Sequence, residues 1–103
     1  MVRGGSTYMM SNQKRTVLYI GVTSDLISRV IQHKNGTYGG FTKKYKCKDL
    51  VYHEGFTSIE EAIAREKQLK NWHKGWKWNL VKEFNPDLMD LSESIGIDLR
   101  LDL

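Results

Sequence analysis

Cysteine and proline are nearly missing from this chain: 103 residues hold one of each, Cys47 and Pro86. One thiol closes no internal disulfide, and with no CxxC partner it builds no zinc site, so Cys47 is expected as a small, half-buried side chain. Stability must then come from packing. Also missing is any apolar run near the roughly 18 residues that cross a bilayer, and the opening MVRGGSTYMM lacks the long apolar core of a secretory signal. The expected location is therefore cytoplasmic. No internal repeat and no linker interrupts the chain, which excludes solenoids and fibres. What remains, 40% hydrophobic and 27% charged residues, is the composition of one small globular domain.

Acidic residues are scarce over most of the length. Residues 1–82 carry 15 Lys/Arg against six Asp/Glu, whereas residues 83–103 carry one Arg against six acids. The formal +4 thus divides into a +9 body and a −5 tail. A basic body suits a polyanion, because each Lys or Arg on a phosphate releases condensed counterions. The lysines also cluster beside aromatic rings: Lys43, Lys44, Lys46 and Lys48 around Phe41 and Tyr45, and Lys67, Lys70, Lys74 and Lys77 beside Trp72 and Trp76. Nucleic acid is the favoured partner.

Periodicity supplies a coarse architecture. Ser6 to Met10 and Val17 to Gly21 are β-compatible runs separated by polar SNQKRT, which predicts a hairpin; pairing Met10 with Val17 sets Tyr8 opposite Tyr19. Thr23 or Ser24 is placed to cap a helix with Leu26, Ile27, Val30 and Ile31 on one side, closing at Asn35-Gly36. TYGG should be a loop and DLVYHE, residues 49–54, a third strand. Ser58 and Glu61 form an S-x-x-E capping box that opens a helix over about 59–72, ended or bent by Gly75. A further helix runs from Trp76 to Phe84 and breaks at Asn85-Pro86. The prediction is an α+β fold, a small three-stranded, mainly antiparallel sheet flanked by helices, over residues 1–84, followed by an acidic C-terminal tail at 85–103.

Three features within it bear on chemistry. Tyr8 and Tyr19 share a face of the hairpin, where two phenols serve either as a packed cross-strand pair or as a reactive pair. Arg29 and His33, at i and i+4, project from one side of the first helix. An arginine fork fits phosphate oxygens and a histidine titrates near neutrality; the plainer reading is a solvated helix edge. Glu66 falls on the stripe of Ile59, Ala62, Ile63 and Leu69. An inward carboxylate needs either a Lys or Arg partner or a cation such as Mg²⁺, which keeps its waters and takes only one or two protein carboxylates. His53 and His73 have no metal-ligand spacing.

Together, STY at 6–8, YIG at 19–21, R-x-x-x-H at 29–33, GFTKKY, and EAIAREKQLKNW at 61–72 resemble the GIY-YIG nuclease family over about residues 5–84. Within it, the chain looks most like the short stand-alone bacterial members. The resemblance implies a divalent-metal-dependent endonuclease that hydrolyses DNA phosphodiester bonds, with Mg²⁺ or Mn²⁺ on Glu66. It implies Tyr19 as general base, Tyr8 and His33 in its hydroxyl network, and Arg29 on the phosphate. The late asparagine of the family falls on Asn79 or on Asn71. Lys43, Lys44, Lys46, Lys48 and Lys70 are the expected DNA contacts, and a branched or flapped duplex is the expected kind of substrate. Two departures stand out: Ser6-Thr7 replaces Gly-Ile, and Val22 stands where some members carry a lysine.

Two other readings compete. One is a DNA-binding module that keeps the fold with little or no hydrolysis. The other is a protein-docking surface built on Trp72, Trp76 and Trp78, two of which are more naturally core. The acidic tail either packs along the domain, stays disordered, or folds over the basic face.

Overall fold

The computed structural model describes residues 4–99. Strands β1 (Gly5–Ser11), β2 (Leu18–Thr23) and β3 (Asp49–Phe56) form one antiparallel sheet in the order β2-β1-β3. Around it stand helices α1 (Leu26–Asn35), α2 (Phe41–Lys44), α3 (Ile59–Lys70) and α4 (Lys74–Phe84), and a 3-10 turn at Glu93–Ile95. The expected α+β architecture is present, with helices on both faces of the sheet.

β1 is central, and its side chains feed two cores. Tyr8 and Met10 pack with Leu50, Val30, Cys47 and Ile97 on the α1 side. Met9 packs with Ile20, Tyr52, Leu69 and Val81 on the side of α3 and α4. Burial on both faces explains why the middle of this strand reads as an almost unbroken apolar run. Between Met9 and Met10 the pairing shifts, since Met9 faces Tyr52 and Met10 faces Leu50. Val51 is the extra residue of this bulge and turns into the second core. Cys47 is fully buried, not half-buried.

The hairpin register differs from the expected one by two residues: Tyr8 pairs with Gly21, and Tyr19 with Met10. The loop between the strands explains the shift. Asn12 Oδ1 accepts the backbone N–H groups of Thr16 and Val17 at 2.9 and 3.0 Å, so the loop absorbs Val17 and the ladder closes at Ser11 and Leu18. Because side chains alternate with a period of two, a two-residue shift leaves both tyrosines on one face. The shift also sets Gly21 under the Tyr8 ring. A Cβ there would lie 2.5 Å from Tyr8 Cζ and Oη, so the glycine is a requirement of close approach.

Asp25, not Thr23 or Ser24, caps α1, its Oδ1 accepting the N–H of Ser28 at 3.1 Å. A carboxylate at this end also answers the helix dipole. The buried face of α1 is turned toward Val30 and His33, leaving Ile27 44% exposed. Gly36 ends the helix at φ 70° as expected. The capping box holds, with Ser58 accepting from Glu61 N–H. However, α3 stops at Lys70 with Asn71 as its C-cap, and Gly75 lies inside the first turn of α4 instead of ending α3. Helix α2 was not expected.

The described part of the tail packs along the domain. Leu88, Leu91, Ile95 and Ile97 add to the cores, and Asp90 accepts the N–H of Leu50 and pairs with Lys34 at 2.7 Å. Replacing Gly21 by alanine should therefore cost about 1–3 kcal/mol, the usual penalty for overpacking, read as a lower urea midpoint at unchanged slope. Wild-type stability in that variant would show that the Tyr8 ring is free to move aside.

Candidate active site

The site begins with Tyr8, whose side chain has no solvent exposure at all. Its hydroxyl lies 2.8 Å from His33 Nε2, while His33 Nδ1 lies 3.1 Å from Thr42 Oγ1. Thr42 donates its own hydroxyl hydrogen to the carbonyl of Tyr38 at 2.9 Å. That donation settles the direction of the whole chain. Thr42 can only accept from His33, so Nδ1 carries the proton, Nε2 is bare, and Tyr8 donates to it. The tautomer here follows from hydrogen-bond logic. Burial, with help from the positive charge of Arg29, pushes the imidazole down to about 4, so His33 is neutral throughout the physiological range. Tyr8 is pushed well above the usual phenol range, mainly by burial, against the pull of a hydrogen bond from Arg29. Both groups are fixed and uncharged.

The solvated helix edge considered for Arg29 and His33 does not describe them. His33 is turned into the core, and Arg29 lies flat over Tyr38 with its Cζ 3.9 Å from the ring centroid. One guanidinium nitrogen reaches the carbonyl of Val22 at 3.5 Å. Stacking restrains the arginine while leaving its remaining N–H groups available.

Tyr19 is the phenol that reaches the surface. Its ring sits 6.3 Å from Tyr8, 5.5 Å from His33 and 6.1 Å from Phe41. It lines an open groove with Leu18, Ile20, Phe41, Lys70 and Lys77. The groove follows β2, one of the two edge strands of the sheet. Burial and then the neighbouring Tyr38 raise the Tyr19 pKa, with Glu66 adding to the effect and Arg29 opposing it. In the free protein Tyr19 is a neutral phenol.

Glu66 approaches from the other face. Thr7 Oγ1 donates to the carbonyl of Ala62 at 2.7 Å, pinning α3 to β1 one turn before Glu66. This gives the Thr7 departure a local role that isoleucine lacks. The Glu66 side chain is 16% exposed and pairs with Lys70 at 3.2 Å. Among the described residues no three His, Cys, Asp or Glu side chains gather as a metal cluster. A lone, partly exposed carboxylate fits a hard cation that keeps most of its waters, and does not fit a zinc-type site.

Not every candidate joins this group. α4 turns Lys77 to the groove and Asn79, about 200° further round, into a separate hollow with Trp72, Trp76, Leu80 and Glu83. Asn71 is the exposed C-cap of α3. Lys70 reaches the groove, Lys43 and Lys44 are exposed on α2, and Lys46 and Lys48 line a second hollow. Trp72 and Trp78 pack in the core and Trp76 is exposed. His53 rests against Phe84, and His73 against Trp76. Sequence reading missed Tyr38 and Thr42. Their only local signal is TYGGFT, where a ring and a hydroxyl flank Gly39-Gly40 just after the helix bearing Arg29 and His33.

A three-stranded sheet with a buried tyrosine–histidine pair, a surface tyrosine, a stacked arginine and a glutamate at one open edge defines a catalytic domain of the GIY-YIG type. The family described as the GIY-YIG catalytic domain matches residues 4–79, and the chain belongs to this family of nucleases. Among curated proteins it is similar to a UPF0213 protein of Staphylococcus epidermidis, 36% identical over 66 residues that cover 64% of this chain and 80% of the relative. A UPF0213 protein of Bacillus pumilus is 33% identical over 66 residues, covering 64% and 67%, and one of Staphylococcus aureus is 35% identical over 66 residues, covering 64% and 80%. No solved structure matches the chain at a significant level. No helix among the described residues is long and apolar enough to cross a membrane.

Nitrogen-15 shifts at neutral pH should report His33 as the Nδ1–H tautomer, titrating near pH 4. Because its folded pKa lies below the unfolded value of about 6.5, the unfolded chain binds the extra proton. The stability contributed by neutral His33 is then complete above pH 6.5 and is lost as the pH falls toward 4. His33→Asn should flatten the wild-type loss of stability across that window. A midpoint near 6.5 would contradict the buried chain of hydrogen bonds.

Proposed function

We propose that this domain is a divalent-metal-dependent endonuclease that hydrolyses DNA phosphodiester bonds and selects its substrate by shape. The observation that carries the reading is that the charges of Arg29 and Glu66 both act on Tyr19, beside a groove lined by Lys70 and Lys77, with Lys70 paired to Glu66. The hydrogen-bonded chain from Tyr8 to Tyr38 supports it from within. A phosphodiester entering the groove meets the Arg29 guanidinium, held in place by Tyr38 and the Val22 carbonyl. Lys70 and Lys77 line the groove at Tyr19 and add positive charge to it. Tyr19 takes a proton from the attacking water as general base. Tyr8, neutral and buried, commits its hydrogen to His33 and leaves its oxygen as an acceptor for Arg29.

Glu66 is the residue that would hold Mg²⁺ or Mn²⁺. Such an ion, when bound, stabilises the charge that develops on the phosphoryl and leaving oxygens. Lys70 neutralises the same carboxylate in the free protein and must yield it. Since burial keeps Tyr19 protonated, the fraction of active base grows with pH.

The test is cleavage of labelled supercoiled, linear, flapped and four-way DNAs with Mg²⁺, with Mn²⁺ and with chelator, beside Glu66→Ala and Tyr19→Phe. Wild type should cut only with metal, and both variants should lose at least about a hundredfold in rate while binding DNA within about twofold of wild type. Wild-type rates in either variant would end this mechanism. Binding without cleavage under every condition would establish the other reading, a DNA-binding module on the nuclease fold. For the enzyme, the rate should climb about tenfold per pH unit between 7 and 9, as a base titrating above 10 requires. A plateau near pH 7 would remove Tyr19 from that role.

A further inference from the structure

Outside the proposed catalytic cluster, two exposed rings at α2 are left without a task. Phe41 is 47% exposed and Tyr45 42% exposed. Their centroids lie 4.8 Å apart, and Phe41 lies 6.1 Å from Tyr19, so three aromatic rings lead in file away from the reactive phenol. Lys44 Nζ stands 5.3 Å from the Tyr45 ring. Beyond Tyr45 the file opens into a hollow of about 460 Å³ whose walls carry Lys14, Lys46 and Lys48. Its one acid, Asp49, is already engaged by Arg15 at 2.8 Å, so the hollow is positive in effect as well as in count.

Lys46 adds an independent sign. It sits at φ 55°, in the left-handed region, where it closes α2 while Cys47 N–H bonds back to the Thr42 carbonyl at 2.9 Å. Glycine is the residue that fits such a helix end with least strain. A lysine stands there against that preference, and it lines the hollow with Lys14 and Lys48. The hairpin wall is equally fixed: Arg15 bonds Asn12 and Leu88 carbonyls as well as Asp49.

We propose that Phe41 and Tyr45 are a stacking strip for an unpaired DNA strand, which continues from the groove at Tyr19 into the lysine-lined hollow. The assignment of Tyr19 as the cutting end rests on the nuclease reading; the strip as a binding site does not. In a duplex each base face is covered by its neighbours, so exposed rings gain nothing from it. An unpaired strand offers a base face to each ring and its phosphates to the lysines between them, and that combination is how sequence-tolerant single-strand sites are built. The substrate this favours is DNA with a single-stranded segment adjoining the reacting phosphate.

Anisotropy titrations in chelator, with labelled oligo(dT) and a blunt duplex of equal length, test the strip without any cleavage. Wild type should prefer the single strand. Tyr45→Ala should weaken single-strand binding about five- to a hundredfold, the range for loss of one stacked base, and leave duplex binding unchanged. Tyr45→Phe, which keeps the ring, should bind as wild type, and an unchanged Tm in both variants separates binding from folding. Equal single-strand affinity in wild type and Tyr45→Ala, or equal losses on single strand and duplex, would overturn the proposal. Metal-dependent cutting with no single-strand preference would end the strip and keep the nuclease. A protein that cuts nothing, yet loses single-strand binding with Tyr45→Ala, would keep the strip and end the nuclease.

Discussion

The hydrogen bond from Tyr8 to His33 is made where no water can replace it, and three segments of the chain are arranged around that fact. A buried donor or acceptor left alone costs about 1–3 kcal/mol, so α1 can dock on the sheet only with His33 turned inward beneath the phenol. The second imidazole nitrogen makes the same demand of α2, which answers with Thr42. Gly21 gives up its side chain so that the phenol can lie flat against β2. Among the described residues no buried side-chain polar atom lacks a partner. The polar network is thus complete before any substrate arrives, and a complete network holds its members in one geometry.

That rigidity has a chemical consequence at the surface. Tyr19 and Arg29 are both supported from behind, one by the packed rings of Tyr8 and His33 and the other by Tyr38, so the proposed reaction needs little reorganisation of either. Glu66 is delivered from the opposite face by a separate anchor, the Thr7 bond to α3. In the proposed mechanism these groups act together across the rim of the sheet, at the edge of β2 that has no neighbouring strand. An open edge is ordinarily a hazard for aggregation, and here the lysines of α3 and α4 that line it also guard it.

Charge is distributed to the same end. The acidic tail supplies Asp90, held as a carboxylate below its usual range, in spite of burial, by Lys34, Ser92 and the Leu50 N–H. It spends negative charge on the back of α1 and the end of β3. Among the described residues, the lysines of α2 and of the groove form one ion pair, that of Lys70 with Glu66. A chain of modest net charge thereby presents one strongly basic side.

Local chemistry determined a good deal from sequence alone. Short β-compatible runs marked the three strands, and Asn35-Gly36 and the Ser58 capping box marked helix ends, because each depends on residues near in the chain. That Tyr8, Tyr19, Arg29, His33 and Glu66 belong to one cluster was implied by the resemblance to the GIY-YIG family. Register, tautomer and direction were decided only by tertiary structure. The shift that puts Gly21 under Tyr8 came from Asn12 competing for loop N–H groups, and Asp25 displaced Thr23 and Ser24 as the helix cap by a charge-assisted bond. Thr42 and Tyr38 were missed because the glycines of TYGGFT mark a loop, whereas their roles exist only once that loop folds back over α1. Asn79 parted from the tyrosines because a helix rotates its residues by about 100° at each step, and which side faces the groove is settled by the packing of Trp72, Trp78 and Val81 against the sheet. Sequence spacing specifies what can be neighbours along an element; burial and hydrogen-bond completion between elements choose which of those neighbours meet.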